Sequence, residues 1–169
     1  MGTQQEKQNF LKLILDNKGV IIRICNSYCA NKNDREDLAQ EITIQLWRAG
    51  DHYDPNQKFS TWMYRVALNV AISWYRKGKS AILPVLLNEA HYEMEDVSGA
   101  EDEATENINL LQRFINELPE MDKALMILFL EGKTHAETGD ILGISETNVA
   151  TRISRIKKKI KQRFSALNK

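Results

Sequence analysis

The sequence predicts an all-α protein made of two small helical domains joined by a flexible acidic linker. Apolar residues recur three and four apart along most of the chain, which is the period of an amphipathic helix. No stretch of sustained two-residue alternation between turn residues suggests a sheet. The composition changes abruptly between residues 79 and 104, where periodicity gives way to acidic residues, Pro84 and Gly99. A length of 169 residues with 43% hydrophobic content suits two small cores or one medium core better than a large enzyme.

The elements follow in order. Phe10, Leu13, Ile14, Val20, Ile21, Ile24 and Tyr28 form one amphipathic stretch, bent around Asn17-Lys18-Gly19. Asp34 is positioned to cap a second helix, whose apolar side carries Leu38, Ile42, Leu46 and Trp47 and which ends near Gly50. A polar turn from Asp51 to Lys58, with Pro55, precedes a helix from about Ser60 to Lys77, with Ser60 or Thr61 as its cap. These elements make a first domain over residues 1–78. Residues 79–104, with Glu93, Glu95, Asp96, Glu101, Asp102 and Glu103, read as the linker, and its apolar patch Ile82 to Leu87 is suited to docking. The second domain, 105–169, begins with a helix from about Thr105 to Leu118. Pro119 then opens a helix running to about Glu131, and two shorter elements follow Gly132.

Charge is distributed unevenly. The 23 Lys plus Arg balance 23 Asp plus Glu, so the chain is formally neutral, yet residues 147–169 hold eight cations and no acid. Residues 81–117 hold one cation and nine acids. The basic end is therefore a candidate contact for a polyanion. The first eight residues lack the charged-then-apolar run of a secretory signal, and the longest apolar run, Ala124 to Leu130, is far too short for a bilayer. A soluble, cytoplasmic protein without membrane insertion is expected. Cys25 and Cys29, one helical turn apart, read as core thiols in a reducing compartment.

The C-terminal domain carries the most specific local pattern. Thr134-His135-Ala136-Glu137 has the form of a capping box. Gly143 can take the left-handed conformation that stops the helix, and Ser145 can cap the next one after a three-residue turn. Two helices joined this tightly make a helix-turn-helix, and Gly139 lacks a side chain that would hold them apart. On the second helix Val149, Ile153, Ile156, Ile160 and Phe164 form the buried stripe. Thr147, Asn148, Thr151, Arg152, Arg155 and Lys158 occupy the remaining surface, with neutral hydrogen-bonding groups first and cations later. That is the layout of a recognition helix, which reads base edges from its early residues and holds phosphates with its later ones.

The helix after Lys58 interleaves aromatics and cations: Phe59, Trp62, Tyr64, Arg65, then Trp74, Tyr75, Arg76 and Lys77. Rings that stack on unpaired bases beside cations that follow the backbone suit single-stranded DNA. About half of these aromatics are expected in the core instead.

Taken together, the chain resembles a sigma factor of the extracytoplasmic-function class, the minimal initiation subunits of bacterial RNA polymerase. The family's Asp-x-x-Asp-Leu-x-Gln-Glu segment is matched by Asp34, Asp37, Leu38, Gln40 and Glu41, followed by Leu46-Trp47. Its Phe-Ser-x-Trp-Leu-Tyr-x-x-Ala-x-Asn segment is matched by Phe59, Ser60, Trp62, Tyr64, Ala67 and Asn69, and its helix-turn-helix by Glu131-Gly132 and Leu142 to Ser145. The resemblance implies that Asp34, Asp37, Gln40, Glu41, Leu46 and Trp47 dock on core RNA polymerase. It implies that Trp62, Arg65, Asn69, Trp74, Arg76 and Lys77 bind the melted minus-10 strand. Ser145, Thr147, Asn148, Thr151, Arg152, Arg155 and Lys158 would read the double-stranded minus-35 element. An anti-sigma protein is a further partner that the family suggests. The chain departs from the family at Leu68 and Ser73, commonly Arg and Asp, at Thr138-Gly139, commonly Ile-Ala, and at Ala150, frequently Lys. These departures bear on promoter preference more than on fold.

Catalysis is not expected. Gly132-Lys133-Thr134 imitates the end of a phosphate-binding loop, but the loop's first glycine would fall at Ile127, inside an apolar helix. His52, His91 and His135 are scattered, and two cysteines give no zinc spacing, so neither metal nor cofactor is expected. Asp34 and Asp37 suit a partner contact better than a catalytic pair. Two other readings remain at this level: a stand-alone helix-turn-helix regulator with an N-terminal interaction domain, and an interaction protein whose basic tail binds an acidic surface.

Overall fold

The computed structural model describes residues 2–81 and 103–169, which fall into two compact units. The acidic linker lies outside the described residues for all but its ends, and its apolar patch lies wholly outside them. Every element among the described residues is helical.

The described residues of the N-terminal unit form four α-helices. Helix α1 (Gln4–Asp16) starts at a capping box: Thr3 Oγ1 accepts from the Glu6 amide at 3.2 Å, and Glu6 Oε2 accepts from the Thr3 amide at 3.0 Å. Amide hydrogen bonds from Thr3 and Gly2 hold the Glu6 carboxyl below its ordinary pKa. Asn17 ends α1, its side-chain amide donating to the Leu13 carbonyl, and α2 (Lys18–Tyr28) follows directly, which is the expected bend.

The cap of α3 (Lys32–Ala49) is Asn31 rather than Asp34. Asn31 is extended and accepts from the Asp34 amide at 2.8 Å. Asp34 sits one turn in, where its carboxylate accepts from the Asn31 side chain and faces the positive end of the helix. Gly50 does not turn left-handed; the chain tightens there into a single 3₁₀ turn, Gly50–His52. Helix α4 (Phe59–Ala81) begins before either expected cap, with the amides of Thr61 and Trp62 both bonding to the Lys58 carbonyl. Ser60 and Thr61 therefore lie inside its first turn.

Ile14, Ile24, Leu38, Ile42, Leu46, Met63 and Leu68 are fully or almost fully buried among these helices. Each such side chain contributes about 1.5–3 kcal/mol on removal from water. Cys25 and Cys29 are buried and unlinked, and burial pushes the Cys25 thiol up to about 12, so it stays protonated at neutral pH.

The C-terminal unit contains α5 (Glu103–Asn116), α6 (Glu120–Leu130), α7 (His135–Leu142) and α8 (Glu146–Leu167). Pro119 is the capping residue of α6, not its first turn. Ile115, Leu125, Met126, Val149, Ile153 and Ile156 form the core. Helix α8 is 22 residues long rather than short, because its apolar stripe continues past the core. Phe164 meets the edge of Phe114 at 5.2 Å between ring centres, and Arg163 lies over the Phe114 ring while pairing with Glu117.

Candidate nucleic-acid interface

The turn between α7 and α8 is built from contacts only three to five residues apart. Thr134 Oγ1 accepts from the Glu137 amide at 3.1 Å, and Glu137 Oε2 accepts from the Thr134 amide at 2.9 Å. Gly143 is left-handed (φ 71°, ψ 34°), and the amides of Gly143 and Ile144 both donate to the Gly139 carbonyl. A Cβ on Gly139 would lie 2.6 Å from the Ile144 carbonyl oxygen, so the helices approach as closely as the absent side chain allows. Ser145 Oγ caps α8 by accepting from the Asn148 amide at 3.1 Å. Beside the turn, Thr138 is completely buried and its hydroxyl has no hydrogen-bond partner among the described residues.

Val149, Ile153 and Ile156 anchor α8, leaving Ser145, Thr147, Asn148, Thr151, Arg155 and Lys158 exposed along its outer side. Arg152 is placed differently. It lies on the flank of that face, and its Nη1 is 3.7 Å from Asp122 Oδ1 at the start of α6.

In the N-terminal unit, Asn69, Arg76 and Lys77 are exposed on α4, and Arg65 and Trp74 are partly buried. Trp62 corrects the expectation. Helical spacing puts it on the same side of α4 as Asn69 and Ser73, yet it is only 7% exposed. Its ring packs at 5.8 Å from Phe10, 5.1 Å from Tyr53 and 5.5 Å from Phe59. Three other rings thus enclose the Trp62 ring within the N-terminal unit. Trp74 instead lines an open cavity of about 530 Å³ between α3 and α4, together with Glu41, Gln45, Asn69, Val70, Ser73 and Lys77. One wall of that cavity is tied: Gln45 Nε2 donates to Glu41 Oε1 at 2.8 Å.

The outer side of α3 carries Asp34, Asp37, Gln40 and Trp47, all exposed, with Glu41 half-buried at its edge. Leu46 does not belong to this surface; it is wholly buried opposite it and holds α3 in the core. The sequence reading missed Ile44, which is 45% exposed between Gln40, Glu41 and Trp47. Its signal was an isoleucine lying off the apolar stripe of its own helix. Exposed Ile44 and Trp47 amid polar neighbours have the composition of a protein contact surface. Among the described residues no group of His, Cys, Asp and Glu is arranged to hold a metal, and no helix is long and apolar enough to cross a membrane.

A capped tight turn, a left-handed glycine and a polar outer face on the following helix define a DNA-binding protein of the helix-turn-helix class. Residues 13–81 match the family described as Sigma-70 region 2, and residues 108–160 match Sigma-70, region 4. The chain is 28% identical to ECF RNA polymerase sigma factor SigW of Bacillus subtilis (strain 168), over 89% of this chain and 86% of that protein. It is 30% identical to RNA polymerase sigma factor SigZ of the same organism, over 75% of this chain and 70% of that one. The solved structure of CnrH, in complex with the cytosolic domain of CnrY, shares the fold with a TM-score of 0.67 at 20% identity, covering 98% of this chain and 91% of that one. The chain belongs to the sigma-70 family, in its ECF class: it is an RNA polymerase sigma factor of transcription initiation. Sigma factors bind core RNA polymerase and promoter DNA.

Proposed function

We propose a division of labour among three surfaces. The outer side of α3, with Asp34, Asp37, Gln40, Ile44 and Trp47, docks on core polymerase, with Glu41 at its margin. On α4, Asn69, Trp74 and Lys77 at the cavity, with Arg65 and Arg76 flanking Asn69, hold the opened minus-10 strand, Trp74 taking the stacking role that a buried Trp62 cannot. The exposed start of α8, Ser145, Thr147, Asn148 and Thr151 with Arg152, reads the minus-35 duplex, and Arg155 and Lys158 hold phosphates. In domain terms, residues 1–78 open the promoter, 105–169 recognise it upstream, and 79–104 connect the two.

The observation that carries this reading is the outer face of α8, where hydrogen-bonding side chains stand exposed at the capped start and cations follow them. The protein catalyses nothing in this scheme. Opening needs no fuel, because captured bases offset the few kcal/mol lost when they leave the stack. The chain works in the cytoplasm, where the polymerase is. An anti-sigma protein restrains it, a proposal supported by relatives of the same fold, CnrH and the sigma factor RpoE from Bartonella quintana, solved with CnrY and with the anti-sigma factor NepR respectively.

In vitro transcription with core polymerase and a promoter library tests the whole. Defined start sites that depend on this chain are expected. Tight duplex binding with no start site would favour a stand-alone regulator instead.

A further inference from the structure

We propose that Asp122 is a positioning residue for promoter recognition: it turns Arg152 from a general phosphate contact into a reader of one base pair. The inference rests on the proposed reading of α8 as the minus-35 helix. Arg155 and Lys158 are exposed and pair with no described carboxylate, whereas Arg152, on the flank nearest α6, lies 3.7 Å from Asp122. The partners are 30 positions apart, so the pair exists only because α6 packs against α8 through Leu125, Met126, Val149 and Ile153.

An arginine on a solvated helix is a long flexible arm, and beside DNA its charge is drawn to the nearest phosphate, which carries no sequence information. A carboxylate beside it changes this in two ways. At 3.7 Å, an ion-pair and not a hydrogen-bond distance, it draws the guanidinium toward α6 while leaving its N–H donors for paired acceptors such as guanine O6 and N7. It also cancels most of the charge that a phosphate would attract, and a phosphate approaching Arg152 would be repelled by Asp122. A base edge, being neutral, suffers no such repulsion. Asp122 is suited to the task because its backbone is held in the first turn of α6: the next amide, Lys123, donates to the Pro119 carbonyl at 2.9 Å, and residues 123–128 are buried. A pair this exposed adds little to stability, so its consequence lies in orientation.

The test uses the holoenzyme assembled from core polymerase and the full chain, bound to a duplex library randomised through the minus-35 element and read by sequencing. Asp122→Asn should flatten the preference at one base pair by about 5- to 10-fold while leaving the other positions unchanged. On a non-promoter duplex, the isolated full chain carrying Asp122→Asn should show a salt dependence steeper by up to about 0.9 in the log–log slope, as one more cation reaches a phosphate. In an Arg152→Ala background, Asp122→Asn should alter neither quantity. If it flattens the preference equally in that background, Asp122 acts on the fold of α6 and the proposal fails. A wild-type preference that survives Asp122→Asn overturns this inference alone. A wild-type holoenzyme with no upstream preference overturns the reading of α8, and this inference falls with it.

Discussion

Trp62 and Trp74 lie on one helix and should separate stability from promoter opening. Trp62 is 7% exposed and sits 5.1–5.8 Å from the ring centres of Phe10, Tyr53 and Phe59. Truncating a buried aromatic of this size to alanine costs about 3–5 kcal/mol, counting lost transfer energy and the cavity left behind. Part of that sum is the three ring pairs, about 0.5–1.5 kcal/mol each. A small domain has only about 5–15 kcal/mol to lose, so Trp62→Ala should bring the N-terminal unit near its unfolding threshold. Its midpoint should fall by more than about 10 °C, at about 4–8 °C per kcal/mol. Trp74→Ala, at a partly buried position, should shift stability by about 1 kcal/mol or less. Far-UV circular dichroism in urea is the right measure, since tryptophan emission changes with the substitution itself. Permanganate reactivity of the promoter bubble, measured with folded holoenzyme, supplies the other axis. Trp74→Ala should lose bubble reactivity while keeping its unfolding transition. If Trp62→Ala kept its stability within about 0.5 kcal/mol and lost the bubble, the ring would be acting on DNA and its assignment to the core would be wrong.

Two further outcomes follow from buried and exposed groups out of their usual place. Thr138→Val should stabilise the C-terminal unit by about 1–2 kcal/mol in urea unfolding, because a fully buried hydroxyl without a partner loses its hydration for nothing, and the two residues have similar helix propensity. A loss of stability would reveal a partner, such as an enclosed water. Ile44→Lys should leave unfolding within about 0.5 kcal/mol of wild type, since the side chain is 45% exposed. Its affinity for core polymerase should drop about 10-fold or more, as when an anchor near the centre of an interface is removed. Undiminished copurification at limiting concentration would take Ile44 out of the docking surface.

The helix-turn-helix was legible residue by residue. Thr134, Glu137, Gly143 and Ser145 take the conformations and hydrogen bonds that their types and spacing announce. The same local logic misplaced the start of α3 by choosing Asp34, since Asn31, three residues earlier, is an equally good cap and has the helix after it. Leu46 lies on the apolar stripe of its own helix, and it is buried as that stripe implies. Ile44, off that stripe, was the residue whose exposure the periodic pattern implied and the reading passed over.

Caps, turns and the buried stripes of single helices came from the chain alone, because each depends on residues three or four apart whose geometry is nearly the same in any helix. Whether Trp62 faces water was decided elsewhere, by Phe10 in α1 and by Tyr53 ahead of α4, and the company of Arg152 by a carboxylate on α6. Burial and charge pairing belong to residues distant in sequence, and only the packing of one helix against another brings them together.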